Sequence, residues 1–270
     1  MIMPTGLFLV FYQRVLSRLK SIYRLRFDMT RLFHDFPLTV GTSIDLPKDI
    51  ARHIMVLRLS TGDGITFFNG KGGEYQARIV GAERQLIRAE IVSFSQREIE
   101  LPYKITLAQG IPEAGKMDWI IEKAVELGVQ EIIPVATRRS VVRLNADRIE
   151  KRLSRWQSIV VSASQQCGRN RLLNIARPVD FGDCIQTFSR LPTVMFSPRA
   201  HESLASWTTR QAPHDMVLLI GPEGGFSPEE EELARQNGVI FLSMGPRILR
   251  TETAGLAAVS AINAFWEQSH

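Results

Sequence analysis

Short apolar runs separated by glycine-bearing turns fill the chain between residues 31 and 100. Residues 65–68 and 75–80 are two such runs, set off by Gly62, Asp63 and Gly64 and by the turn-forming stretch 69–73. Runs of this length and spacing predict a small β-barrel rather than a helical domain. Leu101 and Pro102 read as a domain joint, and beyond them strands and helices alternate. Residues 105–109 predict a strand, 116–127 a helix stopped by Gly128, and 131–135 a second strand. Ile149, Leu153, Trp156, Val160 and Ala163 then recur at helical spacing, so residues 146–166 predict a helix with one core-facing stripe. Residues 193–196 read as another strand, while 200–215 carry no readable pattern. Such alternation implies a mostly parallel sheet with helices on both faces.

The pattern is densest from Met216 to Ala264. Residues 216–220 form a branched apolar run bounded by turn formers, as a strand buried on both faces does. It ends at Gly221, and Pro222, Glu223, Gly224, Gly225 and Phe226 follow as a loop whose glycines allow close approach to the main chain. Ser227, Pro228 and Glu230 carry the signature of a capped helix, which Gly238 ends. A second buried strand at 239–242, a loop over 243–253 and a last helix over about 254–267 close the chain. A glycine loop at a helix start invites a phosphate-cradle reading. Glu223 argues against it, because a carboxylate there repels phosphate, and no Lys followed by Ser or Thr stands where a nucleoside-triphosphate loop needs it. A cofactor without phosphate, S-adenosylmethionine, suits the loop better: backbone groups can read its adenine edge, Leu and Ile its faces, and a sulfonium tolerates a carboxylate. The alternative is that these glycines only make a tight turn.

Composition and charge change this picture little. The chain has 270 residues, 44% hydrophobic and 23% charged, room enough for two ordinary domains. Its two cysteines, Cys167 and Cys184, have no metal or redox spacing, and His53 has no metal-ligating neighbours, so no metal is expected and a reducing cytosol is the natural compartment. Of the net charge of +5, residues 1–28 hold +4, five Lys and Arg against Asp28. Their short apolar cluster precedes the arginines and cannot span a bilayer. Such a leader reads as a transit segment or a membrane-surface helix, or as sequence ahead of a true start at Met29. Basic and acidic residues balance at nine each over 31–100, so RNA binding there would need a few placed residues. Over 134–177, ten Lys and Arg face only Asp147 and Glu150. That surplus flanks the loops at 138–140 and 168–171 and reads as an RNA-phosphate surface, the alternative being a solvated face.

The blocks GPEGGFSPEE (221–230) and LSMGPRILRTETAGLAA (242–258) resemble the C-terminal signature of the ribosomal RNA small subunit methyltransferase E family. Residues 116–140 and 155–169 match further blocks of its pattern, in the same order. The resemblance implies an α/β fold: a SPOUT-type, trefoil-knotted domain with a parallel sheet over 101–270, preceded by a small PUA-like RNA-binding barrel over 29–100 and by the extension 1–28. It implies S-adenosylmethionine-dependent methylation of N3 of a uridine in 16S rRNA of the small ribosomal subunit, by a cytoplasmic homodimer with no membrane or metal partner. Cofactor residues carried over are Phe196 and Ser197, then Ile220, Gly221, Pro222, Glu223, Gly224 and Gly225, then Leu242, Met244, Gly245, Ile248, Leu249 and Thr251. For RNA they are Arg31 and Arg58 in the barrel, with Arg138, Arg139, Arg169 and Arg171 from the basic stretch. Two alternatives stay open: a related enzyme for another RNA nucleotide, and a non-catalytic RNA-binding assembly factor.

Uridine N3 carries a proton between two carbonyls, so its methylation needs that proton removed and the resulting anion stabilised. Arg250 and Glu252 directly follow the second loop. Arg250 is the candidate for stabilising the uracil anion, and Glu252 for accepting the proton or orienting Arg250. The competing reading is helix capping, with Thr251 or Thr253 at the N-cap and Glu252 favouring the dipole.

Overall fold

The structure, a computed structural model, describes residues 30–83, 86–113, 115–140 and 146–267. The leader over 1–28, and the start proposed at Met29, lie outside the described residues. The chain divides into two compact units between Arg97 and Glu98.

The first unit contains β1 (Thr30–Phe33), β2 (Ser43–Asp45), α1 (Lys48–Val56), β3 (Gly64–Phe68), β4 (Glu74–Glu83) and β5 (Leu86–Ser95). Its five strands lie in the order β1-β3-β4-β5-β2, with β1 parallel to β3 and the remaining pairs antiparallel. The apolar runs seen in the sequence supply its core: Ile65 and Phe67 from β3, Ala77 and Ile79 from β4, and Ile87, Ala89 and Ile91 from β5. Ala51 and Ile54 of α1 pack into the same core. Register shifts between Gln76 and Ala77 and between Ile79 and Gly81 mark bulges, which twist the long β4–β5 ladder.

The second unit is a seven-stranded sheet containing β6 (Ile105–Gly110), β7 (Glu131–Ala136), β8 (Asn174–Ile175), β9 (Val179–Asp180), β10 (Thr193–Phe196), β11 (Met216–Ile220) and β12 (Ile240–Leu242). The order is β12-β10-β11-β6-β7-β8, with β9 also on β7, and every pair is parallel. Its helices are α2 (Lys116–Glu126), α3 (Ala146–Cys167), α4 (Phe181–Thr187), α5 (Leu204–Thr208), α6 (Pro228–Gln236) and α7 (Thr251–Trp266). Alternation along β11 explains why its whole sequence is apolar. Leu218 and Ile220 join the core made with α2, α3 and α7, whereas Val217 and Leu219 join the one that includes α4 and α6. The helical stripe on α3 is core-facing: Trp156, Val160 and Ala163 are buried and Leu153 packs beside them.

The capping signature ahead of α6 is realised in full, with Ser227 Oγ accepting the Glu230 N–H and Glu230 Oε2 accepting the Ser227 N–H. Helix α7 differs from expectation at its start. It begins at Thr251 rather than near 254, its N-cap is Arg250, and no side chain caps it. The capping role considered for Thr251 or Thr253 is therefore corrected. β8, β9, α4 and α5 have no counterpart in the pattern reading: two-residue strands form no apolar run, and helices of five and seven residues are too short to show a period of 3.6. Among the described residues, no helix is long and apolar enough to cross a membrane.

Candidate active site

The carboxyl ends of β10 and β11 open onto one cavity of about 460 Å³, where ligands of open parallel sheets usually sit. Phe196 and Ser197 bring β10 to it, Ile220 the end of β11, and Gly221, Pro222, Glu223 and Gly225 the first loop. Ile248, Leu249, Arg250, Thr251 and Glu252 close it from the second loop and the start of α7. Two stretches some twenty residues apart in the chain thus form one wall.

Close backbone packing sets the shape of this wall. A Cβ on Gly110, at the end of β6, would lie 2.6 Å from Pro222 Cδ and 2.7 Å from Pro222 N, so only glycine lets the loop pass there. Gly225 takes φ +66°, the left-handed region that disfavours side chains. The two loops are joined by Thr251, whose hydroxyl donates to the Gly221 carbonyl at 2.6 Å and accepts from Gln109 Nε2 at 2.9 Å. Gln109 is buried in the middle of the sheet end and also donates to the Gly110 carbonyl, so β6, the first loop and α7 share one network.

Charge at the cavity is mixed. Glu223 Oε1 accepts from Lys116 Nζ at 2.7 Å and from the Glu113 N–H at 3.1 Å. Burial pushes the Glu223 carboxyl upward, but the Lys116 and backbone hydrogen bonds outweigh it and hold the group below its ordinary value. Its hydrogen bond with Glu223 raises the Lys116 ammonium. The carboxylate that argued against phosphate is therefore already neutralised in place. Arg199 pairs with Glu231 at 3.1 Å beside the same cavity. Arg250 is 83% exposed at the side chain and only 4.0 Å from Glu252 Oε1, whereas Glu252 Oε2 is buried without a hydrogen-bond partner among the described residues. That orphaned oxygen is an acceptor available to a ligand or a proton.

Not every residue expected here lines the cavity. Leu242 is wholly buried in the core behind it. Met244 and Gly245 line an adjacent apolar cavity of about 540 Å³ with Ala257, Ala261 and Phe265. Gly224 turns away, its carbonyl accepting from Arg139 Nη1 at 2.9 Å. Arg139, read from the sequence as an RNA contact, instead borders this cavity. Lys116, Arg199, Phe226, Glu231 and Ala254 border it as well, although the sequence reading assigned them nothing. Lys116 opens one of the blocks that carried the resemblance, and that was the available signal.

The other RNA candidates divide by burial. Arg169 is 3% exposed; its guanidinium pairs with Glu100 and donates to the Val125 and Val129 carbonyls at 3.0 and 2.8 Å. Its place in an RNA surface is corrected to an internal brace. Arg31 pairs with Glu74 at 2.5 Å and lies over the Phe68 ring, so it too is engaged within its own unit. Arg58, Arg138 and Arg171 are exposed; Arg138 pairs with Glu229 at 3.0 Å and Arg171 with Glu98 at 3.5 Å. A larger cavity of about 710 Å³ lies on the other side of the 138–140 turn, lined by Thr137, Arg138, Asp180 and Glu229. It lacks the two loops that the sequence marks.

Comparison with known proteins identifies the family of the chain. Residues 99–263 match the model of an RNA methyltransferase domain, and residues 46–92 that of an RNA methyltransferase PUA domain. The ribosomal RNA small subunit methyltransferase E of Bacillus subtilis is 32% identical over 80% of this chain and 87% of its own. A protein of the same name from Neisseria gonorrhoeae, solved bound to S-adenosyl methionine, is 36% identical with a TM-score of 0.79, covering 88% of this chain and 98% of that one. A Legionella pneumophila methyltransferase solved with the same cofactor is 32% identical with a TM-score of 0.81, covering 87% and 97%. With the matched domain spanning more than half of the sequence and relatives of this name matching most of their length, the chain belongs to the ribosomal RNA small subunit methyltransferase E family.

Proposed function

We propose that the protein uses S-adenosylmethionine to methylate N3 of a uridine in 16S rRNA of the small ribosomal subunit. The observation that carries this is the convergence of the 221–225 and 248–252 segments on one cavity, in a chain whose relatives carry the small-subunit methyltransferase name and include one solved with that cofactor. The donor set fits. The cavity is within the size range of small-molecule sites. Ile220, Leu249 and Phe196 offer apolar walls for a purine, the loop backbone offers its edge, and Glu252, the least neutralised of the lining carboxylates, suits a cation.

When bound, the cofactor supplies an electrophilic methyl group on a sulfonium. The chain's own part is to hold and deprotonate the base. Arg250, exposed at the cavity rim, stabilises the uracil carbonyl on which negative charge gathers. Glu252, whose Oε2 is buried without a hydrogen-bond partner among the described residues, accepts the N3 proton directly or through water, while its 4.0 Å approach to Arg250 is too long to count as a firm ion pair. Of the six arginines carried over for RNA, Arg58, Arg138 and Arg171 are exposed and stand outside this cavity's wall, and they meet RNA phosphates.

We further read the second unit as knotted and the protein as a cytoplasmic homodimer. The knot reading is supported by the path of the chain: it leaves β12 at one edge of the sheet and returns to its middle, where α7 packs on β11 and β6. Mass spectrometry of rRNA from a deletion strain tests the activity; loss of one N3-methyluridine supports it, and loss of a different modification gives the enzyme another nucleotide. An unchanged rRNA together with no binding of S-adenosylhomocysteine would leave a binding factor. Single-turnover methylation across pH tests the roles: Arg250→Ala should lose rate and keep cofactor affinity, and a normal profile in Glu252→Gln would remove Glu252 as base.

A further inference from the structure

The turn that carries Arg138 and Arg139 is fastened more firmly than two exposed arginines require. The Thr137 N–H donates to Ser140 Oγ at 3.2 Å and the Ser140 N–H to the Thr137 carbonyl at 3.1 Å, closing the turn on itself. Besides the Arg138–Glu229 ion pair at 3.0 Å, two bonds involving the main chain tie it down on either side. The Arg138 N–H donates to Glu230 Oε1 at 2.8 Å, and Arg139 Nη1 donates to the Gly224 carbonyl at 2.9 Å. Glu230 is buried, and its other oxygen accepts the Ser227 N–H at 2.7 Å. A capping box asks only that second bond of its glutamate. The bond to Arg138, 92 residues away, adds nothing to the helix and instead holds the turn. Arg139 then packs along the loop backbone: a Cβ on Gly224 would lie 3.0 Å from Arg139 Cβ. Helix cap, turn and cofactor loop are thus linked in series.

We propose that Glu230 is a positioning residue of the cofactor pocket: through the Arg138 N–H it sets the 137–140 turn so that Arg139 buttresses Gly224 and holds the 221–225 loop in its ligand-binding shape. The inference rests on the cofactor reading above and adds two residues to it. Neither the capping signature nor the basic stretch predicts this coupling. Glu230 reads from sequence as a helix cap and Arg139 as an RNA contact, whereas the structure links both, through the 137–140 turn, to the same loop. A carboxylate is needed because each of its oxygens meets a backbone donor. An amide has only one acceptor oxygen, so Glu230→Gln leaves one N–H facing an NH₂ group.

The test is the affinity for S-adenosylhomocysteine, measured by calorimetry for the full chain, Glu230→Gln, Arg139→Ala, the double variant and Ser227→Ala, with thermal unfolding of each. Glu230→Gln and Arg139→Ala should each weaken binding by about ten-fold, as the loss of a charge-assisted bond does. The double variant should bind no more weakly than Arg139→Ala alone, because Glu230 acts through Arg139. Arg139→Lys, which keeps one donor for Gly224, should recover most of the loss. Ser227→Ala weakens the same helix cap and should lower Tm while leaving affinity unchanged. Multiplying effects in the double variant would overturn the proposal. So would a Ser227→Ala loss equal to that of Glu230→Gln, or unchanged affinity in Arg139→Ala, which is a surface change that keeps the fold. A parent protein that binds no S-adenosylhomocysteine would overturn the cofactor reading and this inference with it, a result distinct from the other three.

Discussion

Two arginines separated by one residue show how little a residue type says before its surroundings are known. Arg169 and Arg171 stand in the same basic stretch, yet one is a buried brace with a carboxylate and two carbonyls, and the other is half exposed beside Glu98. Arg169→Ala would take the guanidinium from Glu100 and from the Val125 and Val129 carbonyls, of which Val125 keeps the Gly128 N–H, and should cost about 3–5 kcal/mol by leaving a part-buried carboxylate unpaired. Arg171→Ala should change stability by less than about 1 kcal/mol. Denaturant titration of the two variants checks this, and equal losses would contradict it. Glu223 offers a test in pH. Its folded-state carboxyl lies below the ordinary 4.5, so its pairing stabilises the protein fully above that value and the contribution is lost as pH falls through the depressed one. The raised Lys116 ammonium sets the opposite limit, its contribution being lost only as pH rises above 10.5 through the folded value. Glu223→Gln should therefore flatten the acid limb of the unfolding midpoint against pH and leave the neutral region's slope alone. An unaltered acid limb would assign acid sensitivity to other carboxylates.

Among the elements, the site depends on strand ends more than on the loops they carry. β6 contributes no residue to the cavity wall, yet Gln109 joins it to Thr251, and Gly110 gives Pro222 room to pass. A methyl group at Gly110 meets backbone and ring atoms of Pro222, which cannot swing away as a flexible side chain could. Gly110→Ala should cost about 1–3 kcal/mol and displace the 221–225 loop, with loss of S-adenosylhomocysteine binding in a protein that still folds. Calorimetry beside a thermal scan separates the two effects. Unchanged affinity would mean that the loop relaxes without altering the pocket. This contact was beyond sequence reasoning, since the two glycine-bearing turns are more than a hundred residues apart and neither resembles a partner of the other.

At the scale of the whole molecule, the described residues hold three hydrophobic clusters, one in the first unit and one on each face of the second unit's sheet. The strands and helix of the first unit share a core of their own, and the parallel sheet of the second is covered by helices on both faces. The candidate cofactor cavity draws all its lining from the second unit. A protein comprising residues 98–270 should therefore fold and bind S-adenosylhomocysteine as the full chain does, while losing affinity for the small ribosomal subunit if the first unit holds RNA. Circular dichroism, calorimetry and filter binding to purified subunits measure the three properties. Loss of cofactor binding in the folded shorter protein would show that the first unit completes the site.

The chain by itself determined whatever depends on nearest neighbours. Unbroken apolar runs marked the strand from Met216 to Ile220 and turn-bounded short runs that from Thr193 to Phe196, while the period of 3.6 marked the stripe around Trp156, because burial on a sheet or helix face is written locally. Ser227, Pro228 and Glu230 announced α6 for the same reason, the cap being satisfied within four residues. The loops at 221–226 and 243–253 were visible as breaks between apolar runs, the first of them glycine-rich, and their blocks carried the family resemblance. Only the tertiary structure decided which of their residues face a common cavity, that Gly224 turns towards Arg139 and that Leu242 lies behind the wall. It also decided that Arg169 is inside, that Glu223 is neutralised by Lys116, and that Glu230 reaches a turn 92 residues away. Each of these is a pairing between side chains or backbone groups distant in sequence, set by how parallel strands are ordered and where their carboxyl ends meet. No local period encodes that meeting, and the chemistry of the site lives there.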